Sequence, residues 1–145
     1  MTKITVALAA DHGGFEIKEE LKPELEKMGV DCIDLGTDSA DSVDYPDFGR
    51  SVADAIADGR AERGVIICGT GIGIAIAANR VGGIRAAVCH DATTARLARE
   101  HNDANVLALG ARIIGREVAI DCLRTFLSTP FEGGVRHMRR VAKLS

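Results

Sequence analysis

Tryptophan is missing from this chain, and aromatic residues of any kind make up only 3% of it. That scarcity argues against a surface for stacking single-stranded nucleic acid, because such surfaces are built from aromatic rings. No excess of positive charge compensates. The formal net charge is −3, which gives no bulk electrostatic case for nucleic acid. Apolar runs stop short of the roughly 18 residues that a membrane-spanning helix needs. Met1 to Ile4 lead directly into a strand-like pattern, so no signal peptide is expected. The four cysteines (Cys32, Cys68, Cys89 and Cys122) contain no C-x-x-C pair, which fits free thiols in a cytoplasmic protein. The four histidines share no ligand spacing, and no metal site is expected from them.

What the chain does have is aliphatic. Hydrophobic residues make up 46% of it, so the core must be built from Ala, Val, Ile and Leu, which suits a parallel sheet under helices. A length of 145 residues fits one domain spanning 1–145. Strand-like segments over 3–9, 30–35, 64–68, 84–88 and 105–109 alternate with helical spacing over 15–28, 47–58, 92–100 and 117–127. A further helix follows the turn at 69–73, and Asp91 is placed to cap the helix at 92. Residues 36–46 read as a loop ending Asp44-Tyr45-Pro46, and the tail over 133–145 carries basic residues at helical spacing. This alternation predicts a five-stranded parallel α/β sandwich with helices on both faces of the sheet.

The most informative stretch runs from Val65 to Arg80. An apolar strand ends at Cys68, the turn Gly69-Thr70-Gly71-Ile72-Gly73 follows, and a helix begins. Glycines let a ligand approach the backbone amides closely, and a helix N-terminus adds positive potential that favours an anion. The turn therefore sets a candidate base or nucleophile beside a candidate anion hole. A cysteine at the end of an apolar strand is also readable as a small buried hydrophobe. Nucleotide fingerprints do not fit. Counting G-x-G-x-x-G from Gly69 puts Ile74 at the third glycine, counting from Gly71 puts Ile76 there, and no Gly-Lys-Ser/Thr follows.

Ligands of parallel α/β folds sit outside the carboxyl ends of the strands. That rule selects Asp11 and His12 after the first strand, Cys68 after the third, His90 after the fourth and Arg112 after the fifth. Arg136 and Arg140, four apart on a helical face, suit a phosphate clamp. Taken singly, each has a plainer reading: Asp11 as a helix cap, His12 and His90 as loop residues, the two arginines as a solvated face. His101 sits at a helix end, where it interacts well with the dipole.

Together they are more specific. Ala10-Asp11-His12-Gly13-Gly14-Phe15, Asp44-Tyr45-Pro46, Cys68-Gly69-Thr70-Gly71-Ile72-Gly73, His101-Asn102-Asp103-Ala104-Asn105-Val106-Leu107, and Gly133-Gly134 leading to Arg136-His137 and Arg140-Val141 occur in order along nearly the whole chain. This pattern resembles the B-type ribose-5-phosphate isomerases, whose family also holds isomerases of galactose 6-phosphate and other sugar phosphates. The resemblance implies a single Rossmann-like three-layer sandwich. It also implies an aldose–ketose isomerase of a small phosphosugar, working without metal or organic cofactor. Homodimers would be the basic unit, sometimes paired into tetramers.

Carried over by residue, the resemblance makes Cys68 the base that moves a proton between C2 and C1 of the open-chain sugar. Some relatives lack this thiol and carry a glutamate one turn on; here Ile74 stands at that place, which fits the cysteine-type branch. The amides of Gly69, Thr70, Gly71, Ile72 and Gly73 become the hole for the enediolate, with the Thr70 hydroxyl beside the same oxygens. His101 becomes the acid/base that opens the furanose ring. Asp11, His12, Tyr45, Asn102, Arg112, Arg136 and Arg140 become substrate-binding residues, the arginines as phosphate ligands. The family usually runs Gly-Gly-Arg-His, whereas Val135 is inserted here before Arg136; the Arg136-to-Arg140 spacing is intact. Ribose 5-phosphate is the expected substrate. Galactose 6-phosphate, allose 6-phosphate or a tetrulose 4-phosphate is the alternative, and a non-catalytic phosphosugar-binding protein a further one. Topology adds one expectation. Cys68 closes a strand while His101 ends the helix that runs back along the sheet, so the two must come from different subunits to share a sugar.

Overall fold

The computed structural model describes residues 3–144. Met1 and Thr2, at the expected leaderless start, and Ser145, which ends the expected tail, lie outside them. The elements are β1 (Thr5–Ala10), α1 (Phe15–Lys27), β2 (Asp31–Asp34), α2 (Tyr45–Ala57), β3 (Arg63–Cys68), α3 (Ile72–Asn79), β4 (Ala86–Val88), α4 (Ala92–Asn102), β5 (Val106–Gly110), α5 (Arg116–Ser128) and α6 (Val135–Ala142). The five strands form one sheet in the order β2-β1-β3-β5-β4, and every pairing is parallel. This is a Rossmann-like α/β fold, as the alternation of strands and helices leads one to expect.

Strand periodicity sorts the core into two layers. Val6, Leu8, Val65, Ile67, Leu107 and Leu109 point to one face and pack under α1, α4 and α5, with Leu21, Leu25, Leu123 and Phe126 among the residues they meet. Ala7, Ala9, Ile66, Cys68, Val106 and Ala108 point to the other, under Val52, Ala53 and Ala55 of α2 and Ile74, Ala75 and Ala78 of α3. Small alanines dominate that second layer, so α2 and α3 ride close to the sheet and to the thiol of Cys68.

Several boundaries differ from the sequence reading, each for a local reason. The helix expected over 47–58 begins at Tyr45, because Pro46 sits in the first turn, where its missing N–H costs nothing. The strand expected over 84–88 shortens to Ala86–Val88, because the Ile84 amide turns back to the Val81 carbonyl. The helix expected to stop at residue 100 continues to Asn102, which puts His101 inside its last turn. The tail forms α6, whose residues are none of them buried.

The strand order reverses direction at β1. The chain passes from β1 outward to β2, then returns to place β3 on the other side. The crevice between the carboxyl ends of β1 and β3 is therefore a topological switch point, the usual ligand position of an open parallel sheet.

An ion pair between buried Lys18 and the solvent-exposed carboxylate of Asp34 fastens α1 to β2. Lys18 is 1% exposed, and its Nζ donates to both oxygens of Asp34 at 2.8 and 2.7 Å. Lys22 also pairs with Asp34. Burial alone would raise the Asp34 carboxyl; the hydrogen bonds from Lys18 and Lys22 and from the Gly36 amide outweigh it and hold the group below its usual range. A carboxylate whose pKa is depressed by folding contributes stability above its unfolded pKa and loses it as pH falls through the folded value. Asp34→Asn is therefore expected to destabilise the protein at pH 7, by less than the roughly 3–5 kcal/mol for breaking a fully buried pair, because water screens the exposed carboxylate. Glu19, 3.3 Å from Lys18, reduces the loss further. Urea unfolding should show the gap between variant and wild type closing below about pH 4. A gap independent of pH would mean that the pair does not carry the effect.

Candidate active site

Cys68 is the last residue of β3 and lies in the α2/α3 layer, 5% exposed. Its Sγ accepts the Gly71 N–H at 3.2 Å. That contact depends on the turn. Gly71 caps α3 with φ +80°, a conformation that strains any side chain, and an added Cβ would stand 2.9 Å from the Leu109 carbonyl carbon. The other thiols are placed differently. Burial pushes Cys89 up to about 11 and Cys122 up to about 12, and it also raises Cys32.

The five turn amides divide into two groups. Gly71 donates to Cys68, and Ile72 donates to the Thr70 Oγ1 at 3.1 Å. The amides of Gly69, Thr70 and Gly73 have no acceptor among the described residues. The hole expected from all five amides thus has three open donors. Thr70 accepts with its oxygen and keeps its own hydroxyl hydrogen for a ligand.

A cavity of about 330 Å³ opens over this turn, lined by Asp11, Tyr45, Cys68, Gly69, Thr70, Ile72 and Gly73. The volume sits at the small end of small-molecule pockets. Asp11 is buried at the end of β1, and its Oδ1 accepts the Gly14 N–H at 3.1 Å. Tyr45 leans over Gly73 so closely that an added Cβ would fall 2.5 Å from its ring. His12 accepts the Val43 N–H on Nδ1 at 3.1 Å, which leaves Nε2 as its outward donor in the neutral ring. Arg112 follows β5, donates its amide to the Gly69 carbonyl, and packs its Cδ about 3.2 Å from where a Gly69 methyl would stand. Its guanidinium has no ion-pair partner among the described residues.

His101, Asn102, Arg136 and Arg140 are not in this cavity. α4 connects the carboxyl end of β4 to the amino end of β5, so its last turn lies at the opposite edge of the sheet from Cys68. Asn102 lines a second cavity of about 360 Å³ there, with Asn79, Arg85 and Leu144. The lining of that cavity carries no thiol, carboxylate or histidine. Arg136 and Arg140 lie on α6 and have no acidic partner among the described residues.

Sequence spacing offered no metal-ligand set, yet the fold gathers His101, Glu132 and His137 at that same far edge. Glu132 carried no sequence signal, being thirty-one positions from His101 in the chain.

The family model described as Ribose/Galactose Isomerase matches residues 6–144. Ribose-5-phosphate isomerase B of Escherichia coli is 46% identical over 140 residues, covering 97% of this chain and 93% of that protein. D-erythrulose-4-phosphate isomerase of Pectobacterium atrosepticum is 42% identical over 132 residues, covering 90% and 87%. A solved structure of ribose-5-phosphate isomerase B from Clostridium thermocellum superposes with a TM-score of 0.95 at 52% identity, covering 97% of this chain and 95% of that one.

Proposed function

The chain belongs to the ribose/galactose isomerase family and is an isomerase, and on that premise we propose that it interconverts D-ribose 5-phosphate and D-ribulose 5-phosphate through a cis-enediolate. The observation that carries the reading is the pairing, at the switch point of the sheet, of the Cys68 thiol with three unengaged amide donors. Cys68 takes the C2 proton of the open-chain aldose and returns it at C1. The charge that develops on the C1 and C2 oxygens falls to the amides of Gly69, Thr70 and Gly73 and to the Thr70 hydroxyl, donors already in position before reaction. Asp11, Tyr45 and Asn102 contact the sugar. His101 opens the furanose, protonating the ring oxygen as the anomeric hydroxyl gives up its proton.

The reading requires a homodimer in which His101, Asn102 and the α6 arginines of one subunit complete the Cys68 cleft of the other. Exposed apolar surface around the cleft supports a covering copy: Ile72 is 55% and Ile76 61% exposed on α3, beside Tyr45 and Ile113. α6 leaves Val135 and Met138 exposed as well. A second copy would bury this rim in a self-complementary contact.

The experiment is a coupled assay over pentose, hexose and tetrose phosphates. Turnover of ribose 5-phosphate ahead of the others supports the proposal. Preference for a tetrulose 4-phosphate would move the chain toward the Pectobacterium relative, and binding without turnover would make it a sensor.

Phosphate anchoring gives a further expectation. Arg136→Ala and Arg140→Ala should each weaken substrate binding by about 1.5–3 kcal/mol, the loss of a charged hydrogen bond. The effect should appear mainly in KM, and wild-type turnover of unphosphorylated ribose should be very poor. Comparable efficiency on ribose and ribose 5-phosphate would rule out a phosphate-anchored site.

A further inference from the structure

At the far edge of the sheet, three potential ligands face one small gap. The His101 ring of α4 and the His137 ring of α6 lie parallel, with centroids 4.6 Å apart and planes 9° from each other. The Glu132 Oε2 sits 3.8 Å from the His101 Nε2 and 3.9 Å from the His137 Nε2. These separations are too long for hydrogen bonds, and the carboxylate lies almost equally far from the two imidazoles. Glu132 is anchored in place: its amide donates to the Glu100 carbonyl at 3.1 Å, and the Arg99 Nε holds the nearby Thr129 carbonyl. No lysine or arginine pairs with its carboxylate among the described residues.

We propose that His101, Glu132 and His137 form a binding site for a divalent transition cation of the zinc type, and that filling it blocks ring opening by occupying the His101 imidazole. Two imidazoles and a carboxylate are a common zinc ligand set, leaving a fourth position for water. The three ligand atoms lie within 4.8 Å of one another. Bonds of about 2.0–2.1 Å in tetrahedral geometry place such atoms about 3.3 Å apart. The site must therefore contract by an ångström or so, and the ring stack must open for both lone pairs to converge. Glu132 is 57% and His101 43% exposed, so these two carry most of the rotation, while His137, only 19% exposed, moves least. Capture would also fasten α6, which buries no residue of its own, to the end of α4. The cation is an inhibitor here and supplies no chemistry to the isomerisation. The inhibitory half of the proposal rests on the ring-opening role of His101; the binding half does not.

The test is calorimetric titration of the intact protein with zinc chloride, beside Glu132→Gln and His137→Gln, with circular dichroism to confirm that both variants fold. The expected result is one cation per chain in the wild type and a loss of affinity of at least tenfold in each variant. Cobalt, titrated into the wild type, should give a spectrum without thiolate charge-transfer absorption. Equal binding by all three proteins, or a thiolate band that assigns the metal to a cysteine, would overturn the site. Where turnover of ribose 5-phosphate is present, zinc should suppress it reversibly to chelator, and the two variants should resist that suppression. Zinc-insensitive turnover in a protein whose site is shown filled would overturn the inhibitory half. Calorimetry needs no turnover, so a failed isomerase reading leaves the metal result standing on its own.

Discussion

Replacing Cys68 by alanine is expected to slow isomerisation by about 10²-fold or more, the scale on which a positioned general base contributes. Phosphosugar binding should largely persist, because the proposed clamp lies on α6 and at Arg112. The fold should persist too. Cys68 fills a layer already rich in alanines, and the amide it releases, that of Gly71, belongs to a turn at the open mouth of the cleft. Cys68→Ser separates the base from mere volume, since it keeps an acceptor for the Gly71 amide but offers a far weaker base near neutral pH. Alkylation supplies a second readout. Cys89 and Cys122 are buried and pushed up to about 11 and about 12, so iodoacetamide should spare them at pH 7.5. Bound phosphosugar should protect Cys68 while leaving any modification of the exposed Cys32 unchanged. Peptide mapping and initial rates decide the matter: a Cys68→Ala protein with turnover near that of the wild type would remove the thiol from the mechanism.

The fold was readable in the sequence wherever the cause was local. The continuous apolar runs of β1 and β3, the turn after Cys68 and the Asp91 cap are written in adjacent residues; Asp91 accepts the Thr94 N–H at 2.7 Å as its position in the sequence suggested. Pro46 misled because proline ends loops and starts helices equally well, and only the packing of Tyr45 on Gly73 selects the second use. The strand order was not readable. It depends on β5 entering between β3 and β4, a pairing that no local pattern encodes. The same limit applies within the site. Cys68 and its turn were visible as a motif, but not the division of the five amides into two engaged and three open donors. That division follows from the Thr70 hydroxyl turning to Ile72 and the sulfur turning to Gly71. Glu132 was invisible because its place beside His101 comes from a backbone bond to Glu100 of α4, made by the irregular segment between α5 and α6.

Mixing two inactive proteins should restore activity if the site is shared. Cys68 ends β3 at the carboxyl edge of the sheet, while His101 lies in the last turn of α4 at the amino edge. The eleven residues of α4 span about 16 Å of that separation. A five-carbon sugar cannot bridge such a gap, so thiol and imidazole can serve one substrate only across a two-fold contact. Cys68→Ala and His101→Asn homodimers each carry two damaged sites. A mixed dimer carries one site with both defects and one site with neither. Random exchange of equal amounts makes half the dimers mixed, each with one of two sites intact, so recovered activity should approach about a quarter of wild type. It should rise with the rate of subunit exchange, followed by native mass spectrometry, and should not appear when exchange is blocked by cross-linking each homodimer beforehand. His101→Asn alone should also harm turnover from cyclic ribose 5-phosphate more than solvent exchange at C1 of ribulose 5-phosphate, which needs no furanose opening. Mixed dimers that form in full and stay inactive would place thiol and imidazole in separate sites, and the histidine would then lose its role in ring opening.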